Sequence, residues 1–383
     1  MPFSHPDPCP TILAVASDPG GARAVLPVLE ELAGRHFTIV LSESATLGRE
    51  APSHWPRLPP EWVVDEQRLG ELKQKMDIKG LVLGTGLQDP TPLLALGHAR
   101  TLGIPSLMML DNWTSYRSRM ELNGTAIWPD LYGVMDQLAF NEAIREGVPP
   151  ELLRITGHPG LASLTRQAMA HNALEQQTLK MQLGCPANRQ MILFISEPVE
   201  MDQGADASNP RFRGYTEKTV LTPLAECLRN NKDQLFLVLA PHPRENAQAL
   251  GAYWHQLATG IDFSVLSGMT TRQGVLAADG VAGMASLVLY ESWLVGRPTL
   301  SLQPGLCRQD LASLSQRPGI WFVDQQKEAH KSVADWLTQI FQGTPGMIRS
   351  ELRLHGDAAF LAADMLQQLW QKEDGMQSKG CSQ

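Results

Sequence analysis

Cysteine is sparse in this chain: five residues in 383, widely spaced, with no CxxC pair. A zinc knuckle or a dithiol redox site has no framework here, and a reduced, cytoplasmic chain is the simpler expectation. Basic runs are also missing. Lysine and arginine number 32 against 40 aspartates and glutamates, a net charge of −8. That balance argues against non-specific binding to nucleic acid or acidic membranes, though not against a local phosphate pocket. No apolar run approaches the length of a membrane span, so no integral membrane segment is expected. The opening MPFSHPDPCP has four prolines and no apolar core, unlike a signal peptide. Several catalytic signatures are missing too: the GxxxxGKS/T phosphate loop, GxGxxG, HExxH, and the GxSxG elbow. No His/Asp/Glu set has metal-ligand spacing, and neither metal nor cofactor is expected.

What is present is apolar content of 43% and enough length for two domains. Short apolar segments with glycine or polar tips alternate with amphipathic stretches. TILAVAS (11–17) reads as a strand, DPGGAR (18–23) as a tight turn, AVLPVLEELAG (24–34) as a helix and HFTIVLS (36–42) as the next strand. Strands are expected again at 80–86, 104–111, 130–135 and 152–157, with helices at 92–103 and 136–146. A polar, helical stretch at 161–188 reads as a crossover. A second series follows, with strands at 189–196, 234–245, 261–268, 279–284 and 298–305 and a helix at 216–231 that Thr216 would cap. Residues 346–372 read as a final helix and 373–383 as a frayed tail. The pattern predicts an α/β fold of two Rossmann-like domains, 11–160 and 189–345, each a parallel sheet covered on both faces.

In such sheets ligands bind beyond the carboxyl ends of the strands, and two facing rims make a cleft. The expected tips are Asp18-Pro19-Gly20-Gly21, Ser42-Glu43-Ser44, Gly84-Thr85-Gly86, Asp111-Asn112-Trp113, Gly157-His158-Pro159, Ser196-Glu197-Pro198, His242-Pro243-Arg244 and Gly283-Met284-Ala285-Ser286. In VAGMASLVLYESWLVGRP, Ser286 falls at a helix N-cap, where free amides and the helix dipole favour a phosphate. Glu291, about one and a half turns on, has the reach to accept a ribose diol. The alternative is a plain capping serine and a salt-bridged glutamate. His242 and Arg244 end a very apolar strand, and Arg244 presents a fork suited to phosphate; the alternative is a histidine packed at a sheet end and an arginine paired with Glu245 or a neighbour. In LDNWTSYRSRM, Trp113, Tyr116 and Arg117 follow Asp111 closely. Aromatics and arginines beside a carboxylate suit a sugar and its anionic groups. Asp111 is a candidate base, or a partner of Arg117. Asp18, Gly20 and Gly21 would line the floor. The glycine pair would admit close backbone approach, or would serve only as a turn. Ser196 and Glu197 stand at the first tip of the second series. The GADASNPRFRGYTE stretch after them reads as a covering loop or a disordered insertion.

These segments resemble the GT-B superfamily, which includes nucleotide-sugar glycosyltransferases, UDP-N-acetylglucosamine 2-epimerases and capsule and teichoic-acid polymer transferases. The likeness covers about residues 11–340. ITGHPGLASL is similar to that group's TGNPxxDxL segment, LAPHPRE to its KxHP segment, and VAGMASLVLYESWLVGRPTLSLQPG to the SGxxQEExxxxGxP stretch that holds the nucleotide. The resemblance implies donor-ribose binding by Glu291, with Ser286 and the helix start on the pyrophosphate. His242, with Arg244, would meet the departing charge. The strand tips supply the other candidates: Asp111, His158 and Asp18 for catalysis, and Gly20, Gly21, Trp113, Tyr116, Arg117, Ser196, Glu197 and Gly283 for binding. The expected partners are a nucleotide-sugar donor and an unspecified acceptor, without nucleic acid; a homodimer is compatible with this. SDPGGAR stands where the epimerases carry GTRPE, LDNWTSYRSRM where they carry EAGLR, and GMAS where SGG is expected. These departures bear on epimerase chemistry more than on the nucleotide site. The leading expectation is a metal-independent glycosyltransferase. An epimerase, hydrolysing or not, that uses Asp111 and His158, and a non-catalytic nucleotide-binding scaffold, are the alternatives.

Overall fold

Runs of valine, leucine and isoleucine that bury both faces make parallel strands, and the chain has two sets of them. The computed structural model describes residues 9–43, 47–86, 89–308, 312, 314–343 and 347–380, with side chains to residue 371. Ser44 of the expected second tip and most of MPFSHPDPCP lie outside the described residues, as do the last three residues of the chain. The chain divides into two compact units, residues 1–165 with 353–383, and residues 166–352.

The first unit contains β1 (Thr11–Val15), β2 (Thr38–Ser42), β3 (Arg57–Leu58), β4 (Ile78–Gly84), β5 (Ser106–Met109), β6 (Glu121–Leu122), β7 (Thr125–Ala126), β8 (Leu131–Val134) and β9 (Leu153–Ile155). Seven of these form a sheet in the order β3-β2-β1-β4-β5-β8-β9, with every pair parallel, and β6 with β7 is a small antiparallel hairpin. Its helices are α1 (Pro19–Gly34), α2 (Leu47–Glu50), α3 (Glu66–Lys75), α4 (Thr91–Thr101) and α5 (Gln137–Arg145). The buried face of α1, including Val25, Val28, Leu29 and Leu32, closes over Ile12, Ala14, Ile39 and Leu41.

Helices α6 (Ala162–Ala170) and α7 (Ala173–Gln182) lead into the second unit. There β10 (Gln190–Ile195), β11 (Leu235–Ala240), β12 (Phe263–Val265), β13 (Gly280–Gly283), β14 (Thr299–Leu302) and β15 (Ile320–Val323) form a parallel sheet in the order β12-β11-β10-β13-β14-β15. It carries α8 (Val199–Gln203), α9 (Glu217–Arg229), α10 (Ala247–Leu257), α11 (Thr271–Ala277), α12 (Leu287–Leu294) and α13 (Ala329–Phe341), and α14 (Glu351–Gly380) follows. Thr216 caps α9 in a reciprocal capping box, as its place before the amphipathic stretch predicts.

Some expectations need correction. The DPGGAR turn is absorbed into α1, which begins at Pro19; proline at the first helical position forfeits no hydrogen bond. The last helix starts at Glu351, not 346, and continues to Gly380 through the segment expected to fray. The strand expected at 261–268 is limited to Phe263–Val265. GADASNPRFRGYTE is tied down at its end: Tyr215 is fully buried, and the Cys307 N–H donates to Arg213 O at 2.8 Å.

The C-terminal helix is keyed into the first unit at one glycine. Gly157 has a φ of +83°, and a Cβ there would lie 2.5 Å from Leu354 O and 3.0 Å from Ala358 Cβ. Beside it the His158 N–H donates to Nδ1 of the buried His355 at 2.9 Å. Gly157→Ala therefore combines a left-handed backbone with overpacking against backbone. A destabilisation of about 2–4 kcal/mol is expected in chemical denaturation. An unchanged midpoint and slope would show that α14 does not dock there.

Candidate functional site

In each sheet the strand order reverses once, between β1 and β4 and again between β10 and β13. The loops leaving those strands diverge to opposite faces and open a crevice at the carboxyl ends. Of the expected site residues, Asp18, Gly20, Gly21, Ser196, Glu197, Gly283 and Ser286 follow or end the strands that border these reversals.

In the first unit α1 starts against the tip of β4. A Cβ on Gly21 would lie 2.6 Å from Thr85 O, and one on Gly20 would overlap Asp111 Oδ2. The glycine pair is thus required by helix–strand packing and by the Asp111 carboxylate. Asp18, the residue before α1, directs its carboxylate toward Gly86, where an added Cβ would sit 3.0 Å from Oδ2. Asp111 leaves β5 and is fixed at one oxygen. Its Oδ1 accepts from Thr85 Oγ1 at 2.8 Å and from Arg119 Nη1 at 2.6 Å. Arg119 is buried and also donates from Nε to Thr114 O. The sequence offered Arg117 as the partner, but Arg117 reaches the other way, bonding Glu121 at 2.8 Å. A carboxylate with one oxygen neutralised and the other beside Gly20 keeps acceptor capacity for a hydroxyl.

His158 does not fit the role of a free acid–base group. Its Nδ1 accepts the Gly160 N–H at 3.1 Å, which leaves Nε2 as the donor, 3.3 Å from Asp111 O. Both ring nitrogens are used, so His158 positions the Asp111 loop. Trp113 and Tyr116 are corrections as well, since each is 1% exposed. Trp113 stacks on His158 at 6.4 Å and 18° and donates from Nε1 to Asp136, and the Tyr116 hydroxyl donates to Glu142. Neither ring offers a face to a sugar; both hold the loop that carries Asp111.

In the second unit the crevice is bridged by hydrogen bonds. Ser286 caps α12, its Oγ accepting the Val288 N–H at 3.2 Å. The Glu197 carboxylate at the β10 tip accepts the Ala285 N–H at 2.7 Å, and the nearby Ser286 N–H also favours its charged form. Ser196 Oγ donates to Glu245 Oε1 at 2.7 Å, and the His242 N–H donates to Glu245 Oε2 at 2.6 Å. Arg244 turns out to solvent in a two-pronged pair with Asp202, at 2.7 and 2.6 Å, instead of pairing with Glu245. His242 Nδ1 accepts the Arg244 N–H at 3.2 Å, leaving Nε2–H as a donor. Burial, then the nearby Arg244, holds the His242 imidazolium below its ordinary range, so the ring is neutral at pH 7. It offers a neutral hydrogen-bond donor, not a cation.

Glu291 is 5% exposed, and its two oxygens take Arg272 Nε and Nη2 at 2.8–3.2 Å. Arg272 comes from the start of α11 and fixes the carboxylate without using all of its lone pairs. The loop before Ser286 is held from below. Met284 O accepts from Ser301 Oγ at 2.5 Å and from Gln303 Nε2 at 3.1 Å, and both side chains also bond Ser315. Gly283 is the last residue of β13. Arg119, Arg272, Glu245, Ser301 and Gln303 were not among the expected site residues. Ser301 and Gln303 did leave a signal, two polar residues of the same parity in the apolar run PTLSLQPG. Gln303→Leu is expected to leave Met284 O and Ser315 short of a donor and to destabilise the second unit by about 1–3 kcal/mol, read by thermal unfolding.

Arranged by fold, the chain aligns with the structure of UDP-GlcNAc 2-epimerase from Neisseria meningitidis bound to UDP-GlcNAc. The TM-score is 0.63 at 12% identity, over 94% of this chain and 100% of that one. It has the GT-B-like fold. Anabaena HepE in complex with UDP-glucose matches with a TM-score of 0.58 at 15% identity, over 96% and 100% of the two chains. MurG of Acinetobacter baumannii matches at 0.59 and 12%, over 94% and 99%. No family model matches the chain, and no curated protein matches it by sequence. The GT-B-like fold is thus carried by a sequence only 12–15% identical to these structural neighbours. Among its described residues no helix is long and apolar enough to cross a membrane.

Proposed function

We propose that the chain is a glycosyltransferase of the GT-B kind that uses a nucleotide-activated sugar. The second unit would hold the donor, with the diphosphate at the start of α12, the ribose on Glu291 and the His242 Nε2–H on the oxygen that leaves. The first unit would hold the acceptor, with Asp111 taking the proton of its hydroxyl; Asp18, Gly20 and Gly21 line that end. Fixed donors would neutralise the departing nucleotide without reorganising as charge develops.

The observation that carries this reading is the pair Glu291–Arg272. A carboxylate buried to 5% exposure and aimed by a guanidinium, one and a half turns below the amides at the start of α12, suits a ribose above a diphosphate. Neighbours crystallised with UDP or UDP-sugars support the ligand class. The epimerase reading needs two free acid–base groups, and His158, with both nitrogens engaged, supports it less.

The test is a calorimetric titration with UDP, GDP, CDP, ADP and dTDP, followed by product analysis with the matching nucleotide-sugar, with and without acceptors. One nucleotide bound, and sugar transferred only when an acceptor is added, is the expected result. Epimer or free sugar formed without acceptor would replace transfer by epimerisation. Tight binding without turnover across acceptors would leave a scaffold, and no binding at all would end the nucleotide reading.

A further inference from the structure

The amides at the start of α12 already hold an anion, and it is the protein's own. Glu197 projects from the tip of β10 across the point of strand reversal and accepts the N–H of Ala285 at 2.7 Å, and the neighbouring Ser286 N–H also favours its charged form. We propose that Glu197 is an internal competitor for the diphosphate position: a nucleotide diphosphate takes these amides only when the Glu197 carboxylate has gained a proton and yields them. The proposal rests on the donor-site reading above and adds to it a proton taken up on binding.

The surroundings of Glu197 set up this competition. Arg213, from the loop before α9, is its cationic neighbour among the described residues, with Nη1 3.7 Å from Oε2, and Arg213 Nε is buried without a hydrogen-bond partner there. Glu245, from the loop after β11, adds a second negative charge, itself held by Ser196 and the His242 amide. Tyr215 faces the group from the Arg213 loop, and its phenol stays protonated because burial and Glu197 both raise it. Glu197 thus has one arginine and a second carboxylate beside it in a place where it is 17% exposed. A diphosphate added to the same amides would be a third anionic group, and repulsion in a partly desolvated site is strong enough to force one of them to protonate. Arg213 would then be released to the phosphate, where its planar fork fits. Burial is the largest influence on the Glu197 carboxyl and lifts it above the ordinary carboxylate range, against the two amides and Arg213. The cost of protonating Glu197 is therefore smaller than for a surface glutamate.

The direction of linkage follows. If binding adds a proton to Glu197, its carboxyl titrates higher in the complex than in the free protein. Affinity is then greatest at low pH and falls as pH rises between those two values, by up to tenfold per unit. The probes are UDP-glucose, GDP-mannose, ADP-glucose and dTDP-glucose, diphosphate diesters whose phosphates do not titrate near neutrality. Each is titrated calorimetrically into the full chain in two buffers of different ionisation enthalpy, from pH 6 to 8. Uptake of roughly half to one proton per site is expected, with affinity falling as pH rises. Glu197→Gln keeps the shape and one amide acceptor. It should abolish the uptake and bind the same probe at least about fivefold more tightly at pH 7.5, because a neutral side chain yields the amides without charge repulsion. A probe that binds, depends on Glu291, takes up no proton and binds the Glu197→Gln variant no more tightly would overturn the competition and leave the donor site standing. Failure of every probe on both proteins would remove the donor site and this proposal together. The proton count in the unsubstituted protein decides the matter even if the variant folds poorly.

Discussion

Glu291→Ala is expected to weaken binding of the preferred nucleoside diphosphate by roughly 10- to 100-fold, the value of two hydrogen bonds from a ribose diol to a buried carboxylate. The loss should come with a modest drop in stability, since Arg272 keeps partial access to water, its side chain 27% exposed, when its partner is removed. Glu291→Gln should fall between, because an amide keeps the shape and one acceptor oxygen. Arg272→Ala should reduce affinity less and entirely through Glu291, so the double substitution should cost no more than Glu291→Ala alone. Independent, additive losses would show that Arg272 meets the ligand itself. Full affinity in Glu291→Ala would remove the ribose assignment.

Asp111→Asn is expected to lower kcat by about 10²–10⁴ with little change in nucleotide affinity, the range for loss of a positioned general base. Asparagine preserves the acceptor bonds from Thr85 and Arg119, so the fold around β5 should persist. Gly20→Ala reaches the same group from outside. Its new methyl would occupy the place of Asp111 Oδ2 and push the carboxylate from its position. A similar fall in turnover is expected, with the nucleotide titration unchanged. If both variants keep full turnover, the base lies elsewhere and the crevice between β1 and β4 is a packing feature.

These two carboxylates show what the sequence discloses and what it withholds. Buried parallel strands read as unbroken apolar runs, so TILAVAS, QLFLVLA and their neighbours are visible, and the tips follow from topology. The caps at Thr216 and Ser286 are local chemistry, read from a hydroxyl before an amphipathic stretch. Partner choice is not local. Arg117 lies nearer to Asp111 along the chain than Arg119 does, and the turn at 115–118 faces the farther one inward. Glu291 depends on Arg272, which lies on another helix, and Arg244 on Asp202, 42 residues away. The short strands β3 and β15 and the helices α3 and α13 escaped because their patterns are brief or partly polar. Nothing near residues 346–372 indicates that this helix packs on Gly157 of the first unit; that contact spans nearly two hundred positions. The aromatic cluster misled for a related reason. Trp113 and Tyr116 have polar handles that suit a ligand, and the fold satisfies those handles internally with Asp136 and Glu142.

The most direct test is a crystal structure of the protein with its tightest nucleoside diphosphate. The expected electron density places the phosphates on the amides of Ala285 and Ser286 and both ribose hydroxyls within 3.2 Å of the Glu291 carboxylate, with Glu197 no longer on those amides. Phosphates seated anywhere else, with Glu197 still on those amides and Glu291 touching only Arg272, would contradict the account.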